Sequence, residues 1–148
     1  MSHYIIMLIL VLIIYAILMY LYIHTFYYLK KAEQTGCFNS KVNLKYMQIF
    51  QMIEIIAITL SVLFVPYLSK TKRRSNISIV ILMALVVLCI NAYMAINVYQ
   101  FYNEMTNCPI MNTWNKWWLY WEGIAATISS VRGILVLGLL IIILGKAK

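Results

Sequence analysis

Four long apolar stretches dominate this sequence, and short polar or basic segments separate each stretch from the next. An α-helix needs about twenty mainly apolar residues to cross the hydrocarbon core of a bilayer. We predict that each stretch is one such helix. The chain is then a single all-α domain over residues 1–148, a four-helix transmembrane bundle with helices at approximately residues 4–29, 46–68, 77–102 and 117–144.

The composition supports a membrane protein, because 64% of the 148 residues are hydrophobic and only 11% are charged. In soluble domains about a quarter of the residues are charged, and a domain of this size cannot bury so much apolar surface in its own core. Membrane β-barrels are not expected, since the chain shows none of their short alternating segments. Lipid is therefore the expected partner of most of the apolar surface.

The topology follows from the number of crossings. Four spans place both termini and the turn 70–75 on one side, here called side A, and the loops 30–45 and 103–116 on the opposite side, side B. Basic residues are enriched in cytoplasmic loops, and the turn on side A carries a concentrated basic cluster. We predict that side A is cytoplasmic and that this cluster contacts lipid or a partner protein through Lys70, Lys72, Arg73 and Arg74.

The net charge of +8 does not indicate nucleic-acid binding, because the basic residues lie where the apolar runs end. Lysine and arginine in such positions contact the headgroups of anionic lipids. Nucleic-acid binding would need a basic stripe with interleaved aromatic residues outside the spans. We therefore expect no nucleic-acid partner.

The polar residues of the predicted helices are concentrated in the side-B halves, whereas the side-A halves are almost purely apolar. Charged groups at membrane depth usually face the bundle interior and have a partner there. The pattern predicts a polar pocket that opens toward side B. We expect this intramembrane polar cluster to consist of His24, Gln51, Glu54, Asn91, Asn97, Glu122, Ser129 and Arg132.

Helical spacing predicts a pair within this cluster. One face of the fourth helix carries small and polar residues at steps of three and four, namely Glu122, Ala125, Ser129 and Arg132. Glu54 lies about 14 Å below Lys45, and Arg132 lies about 22 Å below Trp117. A long guanidinium side chain spans that difference, so we predict a buried Glu54–Arg132 ion pair.

Two interpretations of this pair are open: a structural clamp between helices, or part of an ion or proton path. Transport sites usually lie at broken helices near mid-membrane. No glycine or proline interrupts the first three helices at that depth, which favours the clamp.

An aromatic cluster marks side B at the start of the fourth helix. Tryptophan at headgroup depth anchors the end of a membrane helix, and a protein-docking surface is the alternative. The residues expected to contact lipid or a partner here are Trp114, Trp117, Trp118 and Trp121.

The three cysteines show no CxxC motif, which argues against the four-helix, quinone-linked disulfide enzymes. Cys37 and Cys108 both lie in side-B loops, so they could form a disulfide if that side is oxidising. Two free thiols are the alternative. Cys89 lies in an apolar run and is interpreted as a small core residue.

The residues of a catalytic or cofactor site are missing from the sequence. His3 and His24 are the only histidines, and a zinc-like metal needs three or four converging ligands. There is also no phosphate-binding glycine loop and no Ser-His-acid set. We expect no enzyme activity, no cofactor, no metal and no small-molecule substrate.

One short run carries a family resemblance. Gly36-Cys37-Phe38-Asn39-Ser40, followed by Lys45-Tyr46 at the start of a Gln- and Ile-rich helix, resembles small multi-pass membrane proteins of the nucleocytoplasmic large DNA viruses. The resemblance covers about residues 30–70, and the bias toward Ile, Tyr, Asn and Lys suits such AT-rich genomes. It implies a structural protein of the virion's internal membrane or a minor capsid protein, with membrane and capsid proteins as partners. The alternative is a small ion channel or viroporin that uses the Glu54–Arg132 region.

Overall fold

The computed structural model describes the backbone of residues 2–39, 41–68 and 77–146. Four α-helices form most of this part of the chain: α1 Ser2–Thr35, α2 Leu44–Leu68, α3 Ile77–Glu104 and α4 Asn115–Lys146. Two 3₁₀ turns, Met105–Asn107 and Pro109–Met111, lie between α3 and α4. Each α-helix contains a stretch long and apolar enough to cross a membrane. The predicted all-α, four-helix, multi-pass membrane architecture is therefore confirmed.

The first helix is longer than predicted, because α1 continues past Lys30 and Lys31 to Thr35. These lysines end the apolar run but not the helix, since Lys, Ala, Glu and Gln are good helix formers. The helix ends where Gly36 adopts a φ of 64°, the left-handed conformation that commonly follows a helix C-terminus. The loop to α2 is correspondingly shorter than the predicted 30–45.

The second helix begins at a defined cap. The side-chain Oδ1 of Asn43 accepts a hydrogen bond of 3.0 Å from the backbone N–H of Tyr46. Asparagine is among the best residues for this position, because it satisfies one of the free N–H groups of the first turn. The cap places the start of α2 at Leu44, two residues before the predicted start.

The helices pair as two antiparallel hairpins. In the first hairpin, the Tyr15 hydroxyl of α1 lies 3.3 Å from the Thr59 hydroxyl of α2. In the second, α3 and α4 approach closely at two glycines: a Cβ on Gly123 would lie 2.5 Å from Cγ1 of Val98, and one on Gly133 would lie 2.8 Å from Cδ1 of Leu88. Small residues at such crossings let membrane helices pack through their backbones.

The packed core lies at one end of the bundle. The buried side chains that the structure describes come from the side-B halves of the helices and from the loops between them, as Leu29, Met47, Met94, Phe101 and Leu119 illustrate. By contrast, residues 5–14 of α1 are about half exposed all around the helix. The side-A halves are therefore left for lipid or for other proteins to cover.

The predicted basic contact residues Lys70, Lys72, Arg73 and Arg74 lie outside the described residues. Their role, the placement of both termini on one side and the cytoplasmic assignment of side A stay predictions.

Candidate functional site

A buried hydrogen bond joins α2 to α4. Nε2 of Gln51 donates to Oε2 of Glu122 across 2.5 Å, and the two side chains are 0% and 6% exposed. Each residue is seven positions from the start of its helix, about 10 Å into the bundle. Because a buried polar group without a partner is costly, this bond favours one register between α2 and α4.

Three buried polar atoms around this bond have no hydrogen-bond partner among the described residues: Oε1 of Gln51, Oε1 of Glu122 and Nε1 of Trp118. An unsatisfied buried donor or acceptor costs about 1–3 kcal/mol. Two acceptors and one donor give the site the capacity to bind a water molecule.

A cavity of about 250 Å³ adjoins the Gln51–Glu122 pair and touches all four helices. Its walls are partly aromatic and partly polar: Tyr22, Phe50, Glu54, Asn91, Trp118, Trp121, Glu122, Ala125, Ala126 and Ser129. Two carboxyl groups share the cavity, and no Lys, Arg or His is among these lining residues. The described residues contain no group of three or more His, Cys, Asp or Glu that could hold a metal ion. The cavity is thus polar enough for water.

Five of the eight predicted cluster residues come together at this pair and cavity: Gln51, Glu54, Asn91, Glu122 and Ser129. Asn97 is also buried, but it has another role. Its Oδ1 accepts a 2.8 Å hydrogen bond from the backbone N–H of Asn43, and its Nδ2 donates to the carbonyl of Tyr93 across 2.9 Å. Asn97 therefore ties α3 to the cap of α2.

The placement of His24 in the cluster is wrong. Its side chain is exposed on α1, where its ring centroid lies 4.3 Å from that of Tyr20 and 6.0 Å from that of Trp114. The buried face of α1 runs through Thr25, Tyr28, Leu29 and Ala32. The position of His24 along the sequence indicates how deep it lies in the bundle. It does not indicate in which direction around the axis of α1 the side chain points.

The predicted Glu54–Arg132 ion pair is wrong for the same reason. The Arg132 side chain is exposed, and no ion pair joins it to Glu54 in the part of the chain that the structure describes. The buried face of α4 runs through Leu119, Glu122, Ala126 and Ser130. At about 100° per residue, Arg132 lies roughly 80° from Glu122, on the side away from Ala126 and Ser130. The predicted inward face of α4 is therefore rotated about the helix axis relative to the face that is actually buried.

The two side-B loops are cross-linked. Residues 36–39, 41–43 and 105–114 together form what we call the side-B cap. A disulfide joins Cys37 to Cys108 with a Cα–Cα distance of 5.7 Å, within the range of about 4.4–6.8 Å usual for this bond. The third cysteine, Cys89, is exposed instead of buried in a core. The contact of this part of α3 with α4 is made by the neighbouring Leu88, at Gly133.

Further contacts fix the cap to the helices. The backbone N–H of Asn39 donates to Oε2 of Glu104 across 2.5 Å, and the hydroxyl of Tyr28 donates to the carbonyl of Met111 across 2.7 Å. Phe38 stacks on the ring of Phe101 with centroids 4.5 Å apart. Sequence reasoning missed these long-range contacts. Among the residues near the cap, only Asn43 is of a type that the local sequence could have indicated, since asparagine is a favoured capping residue at the start of a helix.

The four predicted tryptophans divide into two groups. Trp114, Trp117 and Trp121 are exposed, and their contact with lipid or a partner stays a prediction. Trp118 turns inward, and its ring meets Tyr22 of α1 edge-on with centroids 5.7 Å apart. It follows Trp114 and precedes Glu122 at steps of four, so it shares the face of α4 that points to α1 and the cavity.

No protein-family model, curated protein or solved structure matches this chain. The resemblance to viral membrane proteins therefore stays a prediction from the residues of α2 and the loop before it.

Proposed function

We propose that this chain is a structural membrane protein that holds a rigid cap at a membrane surface and connects the membrane to other proteins of an assembly. The observation that carries the proposal is the uneven packing. The described core occupies the side-B halves and the cap, while the apolar side-A halves remain exposed. Such a chain is an anchor at one end and an ordered binding surface at the other.

The cap has the properties of a binding surface. Its loops are tied by the Cys37–Cys108 disulfide and the Asn39–Glu104 hydrogen bond, so a partner does not have to order them at an entropic cost. Beside them lies a hollow of about 390 Å³ whose lining includes Lys41, Lys45 and Glu33. Two lysines against one glutamate favour a water-soluble partner with an acidic surface.

The resemblance of residues 36–46 favours a viral particle as this assembly, with the chain in the internal membrane beneath the capsid. A disulfide on side B suits an oxidising side, and the basic turn 70–74 suits the cytoplasmic side. These two arguments are independent and give the same orientation.

A small ion channel is the second candidate, because Glu54 and Glu122 line a cavity that touches all four helices. A pore needs a polar lining or a dewettable constriction along its whole length. The polar cluster ends well before side A, where the described helices present chiefly Leu, Ile and Val. The channel therefore ranks below the structural role.

Two measurements test the proposal. The first compares incorporation into the purified particle or native assembly for the wild type, the double variant Cys37→Ser/Cys108→Ser and the control Cys89→Ser. We expect stoichiometric association with coat proteins for the wild type, a loss for the double variant, and no change for the control. The second is single-channel recording from reconstituted protein, in which we expect no current. Currents that Glu54→Gln abolishes would overturn the structural role and favour the channel.

A further inference from the structure

A long apolar groove runs along the outside of the bundle between α3 and α4. Its volume is about 510 Å³, and it is lined by Ala95, Val98, Tyr99, Tyr102, Trp117, Tyr120, Trp121, Gly123, Ile124 and Thr127. The floor is formed where the helices cross most closely, because Gly123 has no side chain to separate them from Val98. The large aromatic residues stand as exposed walls on both sides of this floor.

A second hollow, of about 640 Å³, continues the groove toward the cap. The two share the residues Tyr102, Trp117 and Tyr120, so they are adjoining parts of one surface. The upper hollow is more polar than the groove. It adds Asn103, Met105, Thr106, Pro109, Asn112 and Lys116 to the lining.

Lys116 supplies the positive charge of this upper hollow. Its Nζ donates a hydrogen bond to Oδ1 of Asn112 and lies 4.9 Å from the centroid of the Trp117 ring. Glu104, the acidic residue at the C-terminal end of α3, accepts the hydrogen bond from Asn39 and is not among the residues that line the hollow. The cation is therefore held at the boundary between the polar hollow and the apolar groove.

The length of the groove matches one leaflet of a bilayer. From Lys116 to Thr127 the helix advances eleven residues, or about 17 Å. Half of a hydrocarbon core of about 30 Å is about 15 Å. Polar side chains and a lysine thus lie at headgroup depth, with an apolar channel of acyl-chain length below them.

We propose that this groove binds one anionic phospholipid, with an acyl chain between α3 and α4 and the phosphate beside Lys116. The charge at one end, the apolar lining at the other and the leaflet depth all select a lipid over a protein segment. The amides of Asn103 and Asn112 and the hydroxyl of Thr106 add hydrogen-bond donors for phosphate oxygens. This proposal concerns lipid selection and does not depend on the proposed role in an assembly.

The test uses tryptophan fluorescence, since Trp117 and Trp121 line the groove. The full chain is reconstituted in vesicles of phosphatidylcholine with a small fraction of either phosphatidylglycerol or phosphatidylcholine that carries bromine on its acyl chains. We expect the brominated phosphatidylglycerol to quench selectively, with about fivefold tighter association. One lysine near anionic headgroups contributes about 1 kcal/mol, and about 1.4 kcal/mol corresponds to tenfold.

Four variants separate the parts of the proposal. Lys116→Gln should remove the preference for phosphatidylglycerol, and Lys116→Arg should keep it. Lys31→Gln, an exposed lysine of α1 outside the groove, is the matched control and should also keep it. Ala95→Phe, which fills the groove, should reduce quenching by both lipids.

Three results would overturn the proposal. Equal quenching by the two lipids in the wild type would remove the headgroup selection. Equal loss of selectivity in Lys116→Gln and Lys31→Gln would show that the preference for phosphatidylglycerol comes from the general positive charge of the protein surface and not from a site at Lys116. Protection of the tryptophans from both lipids, together with a cross-linked dimer, would place a second copy of the chain in the groove.

Discussion

The side-chain amide of Gln51 on α2 donates a hydrogen bond of 2.5 Å to the carboxyl group of Glu122 on α4, and both side chains are buried. This bond connects the two helical hairpins, which otherwise pack mainly within themselves. Because one hairpin supplies the donor and the other the acceptor, the bond requires both hairpins in their native register.

The first prediction is that Gln51→Leu destabilises the bundle more than a similar change outside the core. The variant removes the donor and leaves Glu122 buried without it, at a cost of about 1–3 kcal/mol. The matched control is Gln48→Leu on the same helix, whose amide makes an exposed 2.8 Å hydrogen bond to Glu33. The measurement is the free energy of unfolding in bicelles during titration with SDS.

Combining Gln51→Leu with Glu122→Leu measures the pair itself. We expect a coupling energy of about 0.6 kcal/mol and at most about 1.7 kcal/mol, the average and the maximum found for hydrogen bonds between membrane helices. The double variant should be more stable than the sum of the single changes implies. Strictly additive effects would mean that the two groups do not interact.

The second prediction is that Arg132→Ala and Glu54→Gln act independently. The exposed side chain of Arg132 makes no ion pair with Glu54 in the described chain, and sites without shared partners usually add within about 0.5 kcal/mol. The same unfolding assay on both single variants and the double variant gives the coupling. A coupling well above 1 kcal/mol would restore the buried ion pair that the sequence suggested.

The positions of the helices along the chain could be predicted from the sequence, whereas the face that each helix buries could not. Long apolar runs fixed the number and approximate ends of the helices, because the bilayer demands that length. The same runs are apolar on nearly every side, so their periodicity does not show which face is buried. This is why Glu122 was placed correctly, while Arg132 and His24 were assigned to the interior and lie exposed.

Contacts between segments far apart in the sequence were even harder to predict from local sequence patterns. Tyr28 and Met111 are bonded across 83 positions of sequence, and no pattern in either segment indicates the other. The sequence indicates a Cys37–Cys108 disulfide only as one of two possibilities, because both cysteines lie in loops on one side of the membrane. The structure of the side-B cap thus depends on tertiary packing. Of its contacts, the sequence indicated only the Cys37–Cys108 disulfide.

The third prediction concerns Asn43, which caps α2 and donates its backbone N–H to Asn97. Asn43→Ala should lower the free energy of unfolding by about 0.5–2 kcal/mol, the usual cost of losing such a cap. The effect should also be local. Hydrogen exchange should accelerate at the amide of Tyr46, whose N–H loses its partner. The control is Asn103→Ala, at an exposed position near the end of α3.

Contradictory results for this prediction are specific. Unchanged exchange at Tyr46 would show that the capping bond is not made. Faster exchange along the whole of α2 would show instead that the Asn43 side chain holds the helix in the bundle, through the 3.3 Å hydrogen bond from its Nδ2 to the hydroxyl of Tyr93 on α3.

The last prediction is that the chain isolated without reductant carries one reactive thiol and, after reduction in detergent, three. The disulfide occupies Cys37 and Cys108, and the exposed Cys89 stays free. Alkylation followed by mass spectrometry counts the labels in each case. A count of three without reductant, from protein prepared without added thiols, would mean that side B is reducing.

The same disulfide should stabilise the fold, because it closes a loop between residues 71 positions apart. In the chain-entropy account, closing a loop of this length contributes about 4 kcal/mol. The gain should be smaller in a membrane, where helices confined to one bilayer already keep the loops near each other in the unfolded state. We therefore expect Cys37→Ser/Cys108→Ser to lose stability by less than that amount, and the control Cys89→Ser to lose little. Equal stability of the wild type and the double variant would leave the noncovalent contacts, such as Asn39–Glu104 and Tyr28–Met111, as the bonds that hold the cap.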